Sequence, residues 1–278
     1  MVAVPNIVLN NGVEIPQLGF GVFQIKPAET AAAVTQALNI GYRHIDTAQM
    51  YGNEKGVGQA IAESDIDRSD IFVTSKLNNN QLGYDAAMAA FDQSLVDLGL
   101  AKVDLFLIHW PLATVRNFVD TWKAFEQIYA SGRARAIGVS NFEPHHIRRL
   151  HEETSVTPAV NQIELHPYLT QEGLRAFDDE HGIATEAWSP IAKGNVLVDP
   201  TVVAIAQAHG KTPAQVVLRW HVQHGSIVFP KSVTPSRMQE NFEIFDFELP
   251  ASDMAAISGL NKDERTGPDP DVFAWIPS

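Results

Sequence analysis

Val103-Asp104-Leu105-Phe106-Leu107-Ile108-His109 is a short apolar run that ends on an imidazole. Its length and the polar residues that bound it mark a β-strand. Working outward, the same design recurs upstream. Ile71-Phe72-Val73-Thr74-Ser75-Lys76 ends on an ammonium, and His44-Ile45-Asp46-Thr47-Ala48 carries a carboxylate and leads to the phenol of Tyr51. Strands that alternate with helices in a barrel all point the same way, so their C-terminal ends converge on one face, where active sites sit. Asp46, Tyr51, Lys76 and His109 gathered there can move a proton to a carbonyl oxygen.

The rest of the chain supports a barrel. Strand-like runs fall at 18–23, 44–47, 71–77, 103–109, 136–140, 159–164, 184–189 and 227–231, the number that closes a (β/α)8 TIM barrel of the α/β class. Amphipathic helical patterns lie between them. Phe91, Leu95 and Leu98, and likewise Trp122, Phe125 and Tyr129, recur at helical spacing and predict core-facing stripes. Gly41, Gly99, Gly132, Gly182, Gly210 and Gly225 each follow a helical stretch and are expected to precede a strand, since glycine closes helices at low cost. Thr212-Pro213-Ala214-Gln215 and Thr234-Pro235 both read as a threonine cap followed by proline in the first turn. No strand separates the segment around 201–209 from that at 212–224, so one of the two is an extra helix. Ile7 to Ile15, turning at Asn11-Gly12, predicts an N-terminal hairpin that plugs the barrel's N-terminal end. The Pro- and Asp-rich tail at 263–278 predicts irregular chain whose Phe273 and Trp275 dock on the body or on the mouth.

Composition bounds the possibilities. The 278 residues fit one barrel domain spanning 1–278. No cysteine is present, so disulfides and thiolate metal sites are excluded and a cytoplasmic location is expected. The N-terminus shows no secretory pattern and no apolar run is long enough to span a membrane. A net charge of −13 argues against nucleic acid as a partner. An anionic cofactor then needs a local cluster of cations. His221 and His224 are spaced to seat a metal, but no third ligand is evident, so they predict a solvated helix face and no metal site. His44 and His166, near strand ends, are read as structural.

At the motif level the chain resembles the aldo-keto reductases. The resemblance rests on Gly41-Tyr42-Arg43-His44-Ile45-Asp46-Thr47-Ala48, on Tyr51-Gly52-Asn53-Glu54, on Lys76, on His109-Trp110-Pro111 and on Gly138-Val139-Ser140-Asn141-Phe142. It continues in Asn161-Gln162-Ile163-Glu164-Leu165-His166-Pro167 and Pro230-Lys231-Ser232-Val233-Thr234-Pro235, and so covers nearly the whole chain. Within the family it is most similar to short-loop bacterial members called 2,5-diketo-D-gluconate reductases. The resemblance implies a barrel that reduces aldehydes and ketones with NADPH and without a metal.

The residues themselves suit that chemistry. Tyr51 is the candidate general acid. A free phenol, with a pKa near ~10, is a slow donor at neutral pH, and the Lys76 ammonium is expected to lower that value. Asp46 would hold Lys76 charged, and His109 would orient the carbonyl or share the proton. The hydride must come from a cofactor. No Gly-rich Rossmann fingerprint follows the first strand. Instead Lys231, Ser232, Val233, Thr234 and Arg237 crowd two cations and hydroxyls into the turn after the last strand, a receptor for a ribose phosphate that favours NADPH. Ser140, Asn141 and Gln162 are suited to a carboxamide. By resemblance Glu240 and Asn241 contact the adenine, Trp188, Ser189, Ile191 and Lys193 run along the pyrophosphate, and Trp188 stacks on the nicotinamide. Relatives often carry tryptophan soon after the lysine, where this chain has Asn78. Phe23, Trp110, Phe273 and Trp275 complete the expected substrate walls. The partner is a small carbonyl compound and the protein is expected to be a monomer. Two rival readings are a Schiff-base lyase acting through Lys76 and a nicotinamide-binding regulatory subunit with weak turnover.

Overall fold

The computed structural model describes residues 4–277. Eight strands form one parallel sheet in sequence order: β3 (Phe20–Gly21), β4 (His44–Asp46), β5 (Phe72–Leu77), β6 (Val103–Ile108), β7 (Ala134–Ser140), β8 (Val160–Glu164), β9 (Ala184–Trp188) and β10 (Ile227–Val228). A parallel bridge between Leu18 and Val228 joins the last strand to the chain entering the first and closes the ring. The expected 227–231 strand pairs over only two residues. Pro230 has no N–H to give a ladder, so the chain leaves the sheet there.

A two-residue period decides where the chemistry goes. Leu105 and Leu107 of β6, Ala136 of β7, Val160 of β8 and Ala184 of β9 join one apolar cluster inside the ring, together with Phe72, Leu9 and Ile15. One or two steps further along the same face, toward the C-terminal ends, stand Lys76, His109, Ser140, Gln162 and Glu186. The interior is therefore apolar at its lower end and polar at the mouth. Residues of opposite parity face the helices. Phe106 lies 4.9 Å from Phe91 on α3 (Tyr84–Leu98) and 4.9 Å from Phe125 on α4 (Phe118–Ala130). Burying each such ring is worth about 1.5–3 kcal/mol, which fixes the helices against the strands.

The hairpin of β1 (Asn6–Val8) and β2 (Glu14–Pro16) caps the lower end, as expected, with Leu9 and Ile15 turned into the apolar cluster. Between β9 and β10 lie two helices, α7 (Pro200–His209) and α8 (Pro213–Gln223), so the barrel carries an extra one. Gly210 consequently leads into α8 and not into a strand. The Thr212 cap forms with its reciprocal Gln215 contact. The Thr234 cap does not: its side chain makes no capping bond at α9 (Pro235–Phe242). Ser232 Oγ instead accepts from the Thr234 N–H at 3.1 Å, an internal turn that uses the neighbouring hydroxyl. His221 also departs from expectation. It is fully buried, with Nε2 2.9 Å from the Pro190 carbonyl oxygen, so this side of α8 packs against the barrel and is not solvated.

Candidate active site

Asp46 ends β4, Lys76 lies near the end of β5, His109 follows β6, and Tyr51 sits in a 3₁₀ turn at Gln49–Tyr51 just past β4. The structure brings all four together. Lys76 is fully buried, and its Nζ donates to Asp46 Oδ1 at 2.7 Å, to the Thr47 carbonyl at 2.9 Å and to the Tyr51 hydroxyl at 3.4 Å. An ammonium has three hydrogens, and each has an acceptor. Asp46 and Tyr51 hold the Lys76 pKa above its ordinary value, against the pull of burial. The imidazole of His109 meets the Tyr51 ring edge-on at 5.8 Å between centroids.

The phenol does not follow the sequence expectation. Burial raises the Tyr51 pKa, and the lowering by the Lys76 charge only partly offsets it. Tyr51 thus remains protonated at neutral pH. Burial, then the Lys76 charge, pushes His109 well below the ordinary histidine range, so its imidazole is neutral.

Below this group a second layer continues. Gln162 Nε2 donates to Asp46 Oδ2 at 3.0 Å and to Glu186 Oε2 at 2.7 Å. Burial and the Asp46 charge raise the Glu186 pKa to about 8. Glu186 escaped the sequence reading. Its only signal is a carboxylate two residues before Trp188, on the inward parity of a strand whose other inward residues, Ala184 and Trp188, are apolar.

The three residues expected to face a carboxamide are not equally free. Ser140 Oγ donates to the Gln162 carbonyl oxygen at 2.8 Å. Asn141, at φ 63°, spends Nδ2 on the His109 carbonyl oxygen at 2.9 Å, and its Oδ1 accepts from Trp188 Nε1 at 2.8 Å. Gln162 alone keeps an amide oxygen, Oε1, that accepts no hydrogen bond among the described residues. The Asn141 contact fixes the Trp188 ring, and Gly267 of the tail lies against that ring so closely that a Cβ there would stand 2.4 Å from Cη2.

Ser189 and Lys193 take left-handed backbone at φ 49° and 54°, and Ile191 is half-buried between them. Lys193 Nζ donates to the Thr266 carbonyl oxygen of the tail at 2.6 Å. In the turn after β10, Lys231, Val233 and Thr234 are exposed, as is Arg237 in the first turn of α9, while Ser232 and Asn241 are buried. Lys231 and Arg237 pair with no carboxylate among the described residues. Glu240 accepts from Thr212 Oγ1 at 2.7 Å, a contact that ties α9 to α8.

The mouth is aromatic on one side. Phe273 packs on Trp110 at 4.3 Å and Trp110 faces Trp188 at 6.5 Å. Phe23, 53% exposed, lies 5.0 Å from the Tyr51 ring. Trp275 is equally exposed and docks through its backbone, its carbonyl oxygen accepting from Asn79 Nδ2. Asn78 turns its side chain to the next residue, where Oδ1 accepts from the Asn79 N–H. The tail is moored by Glu164, whose Oε1 accepts from the Thr266 and Gly267 N–H groups at 2.6 and 3.2 Å.

Residues 17–262 match the profile of the aldo/keto reductase family. A protein from Mycobacterium sp. strain KMS, named aldo-keto reductase, is 54% identical over 269 residues, covering 97% of this chain and 98% of that one. The glyoxal reductase of Bacillus subtilis is 48% identical over 268 residues, 96% of each chain. Among solved structures, a mutant of the protein Gox0644 in complex with NADPH superposes with a TM-score of 0.94 at 46% identity, covering 98% of this chain and 99% of that one.

Proposed function

The chain belongs to the aldo/keto reductase family, and from that premise we propose that it reduces aldehydes and ketones with NADPH, Tyr51 supplying the proton. One observation carries the reading: a phenol hydroxyl stands 3.4 Å from a buried ammonium whose other two hydrogens are already bound.

The residues present fit a phosphorylated nicotinamide dinucleotide. Lys231 and Arg237 are exposed cations beside an uncapped helix start, where backbone N–H groups and the helix dipole favour a phosphate. Ser232, Val233 and Thr234 complete that turn, and Glu240 and Asn241 lie next along α9 for the adenine. Ser189, Ile191 and Lys193 lead from there to Trp188 and Gln162 at the nicotinamide end. When bound, the cofactor supplies the hydride.

The protein's own steps follow from the geometry. As negative charge develops on the carbonyl oxygen, Tyr51 releases its proton to it. Lys76 stabilises the phenolate left behind, through a charge held in place by Asp46. His109 Nδ1 is sealed without a partner among the described residues. The cheaper tautomer therefore leaves a bare lone pair there and puts the hydrogen on Nε2, able to donate to the same oxygen. Phe23, Trp110, Phe273 and Trp275 wall the substrate, with Asn78 at the rim where an aromatic would narrow it. The open, mixed wall suits a range of small carbonyl compounds, keto sugars such as 2,5-diketo-D-gluconate among them.

The Schiff-base alternative needs Lys76 as a neutral amine, whereas Asp46 holds it charged. A regulatory subunit would bind NADPH without sustained turnover. We read the chain as a single-domain, cytoplasmic, monomeric enzyme. The test is NADPH consumption across aldehydes, α-keto esters and keto sugars, with NADH in parallel. Multiple turnovers with NADPH in preference to NADH are expected; binding without turnover would leave the regulatory reading.

A further inference from the structure

Glu186 has no part in the proton transfer just described, yet it is fully buried at the centre of the barrel. It lies beside Gln162 in the register of β8 and β9. One nitrogen, Gln162 Nε2, donates both to Glu186 Oε2 at 2.7 Å and to Asp46 Oδ2 at 3.0 Å. An amide nitrogen carries two hydrogens, and both are used. Turning the amide over would set its oxygen against Asp46 Oδ2, an acceptor on the carboxylate that also receives the Lys76 ammonium. The network thus decides which end of the amide faces inward.

We infer that Glu186 is a positioning residue: together with Asp46 it locks the Gln162 amide so that Oε1 faces the mouth as an acceptor for the N–H of a nicotinamide carboxamide. This rests on the reading of the site as a nicotinamide site and adds to it the device that fixes the amide's sense. The lock survives protonation of Glu186 with the hydrogen on Oε1, which leaves Oε2 an acceptor for Gln162. Glu186 Oε1 is sealed and has no partner among the described residues, so Gln162 is the side chain's one hydrogen-bonding contact there. The carboxyl therefore has no visible purpose except to receive the amide.

The experiment compares binding of NADP+ with that of its 3-acetylpyridine analogue, whose methyl ketone accepts hydrogen bonds but cannot donate one. Tryptophan fluorescence titration reads both dissociation constants without turnover. Wild type should bind NADP+ about tenfold more tightly, the worth of one hydrogen bond in a closed site. Glu186→Met, of similar volume but with no oxygen, should reduce that ratio to about twofold or less. Glu186→Gln restores an acceptor carbonyl and should keep the wild-type ratio. A methionine variant that keeps the full ratio overturns the inference, and so does a glutamine variant that loses it. The glutamine variant decides the matter if the methionine variant does not fold. Wild type that oxidises NADPH but shows no preference between the two dinucleotides sinks this inference alone. Wild type that neither binds nor oxidises NADPH sinks the reading beneath it.

Discussion

Two polar regions at the C-terminal end of the barrel are built in opposite ways. At Lys76 the charge is fully bonded: the ammonium has three acceptors, Asp46 receives both Lys76 and Gln162, and the pair is buried. Around Lys231 and Arg237 the charges are exposed and no carboxylate among the described residues pairs with them. On the function proposed above, the contrast separates two tasks. Groups that must act on a reacting bond are fixed beforehand, since any reorganisation would add to the barrier. Groups that must capture an anion are left open, since a cation already paired would have to break one contact to make another. The tail packs on the segment that follows β9, where Lys193 reaches Thr266 and Gly267 covers Trp188.

The comparison can be broken at either end. The largest effect should come from Lys76→Met. It leaves the Asp46 charge buried and unpaired, at a cost on the order of 3–5 kcal/mol of stability. Turnover should fall by roughly two to three orders of magnitude, as for loss of one preorganised charge that stabilises the phenolate. Thermal melts and kcat read both; a variant as stable and as fast as wild type would show that the closed network is incidental. Next, Lys231→Ala and Arg237→Ala should each raise the KM for NADPH by about tenfold or more, the range for a charged hydrogen bond, with kcat unchanged. The preference over NADH should shrink in step. A loss confined to kcat would mean that the open turn does not receive the phosphate.

Smaller and more specific is the pH response of Glu186. Its pKa is about 8 in the fold, against about 4.3 for a free glutamate. Between those values the unfolded chain has released its proton and the folded chain has not, so this group makes folding less favourable as pH rises from about 4.3 to 8. Glu186→Gln removes that loss. Its melting temperature should exceed that of wild type at pH 8 and approach it near pH 4.5; an equal gap at both would deny the raised pKa. Smallest is Phe273→Ala, which removes the ring against Trp110. The KM for an aromatic aldehyde should rise by roughly threefold to tenfold, the worth of an aromatic pair, without change in NADPH affinity.

Much of this architecture is legible in the chain because it is periodic. The Val103–Ile108 run marks a strand, and two-residue alternation carries Leu105 and Leu107 to the same face as His109. What sequence alone conceals is the balance of opposing effects across the barrel. Lys76 beside Tyr51 argues for a more acidic phenol, but the depth of burial, which no local pattern records, tips the net shift upward. The sense of the Gln162 amide depends on Asp46, 116 residues away, and on Glu186, 24 residues away. His221 looks solvated by spacing and is buried because the Pro190 segment folds over it. Thr234 looks like a cap, but its side chain makes no capping bond, and the Thr234 N–H donates to Ser232 Oγ.

The claim under all of this is that Tyr51 gives up the proton. Tyr51→Phe retains the ring against Phe23 and His109 and removes only the hydroxyl. Measured side by side with wild type, it should bind NADPH with unchanged affinity by fluorescence titration and lose carbonyl-dependent NADPH oxidation by roughly a hundredfold or more. Oxidation at the wild-type rate would contradict the account.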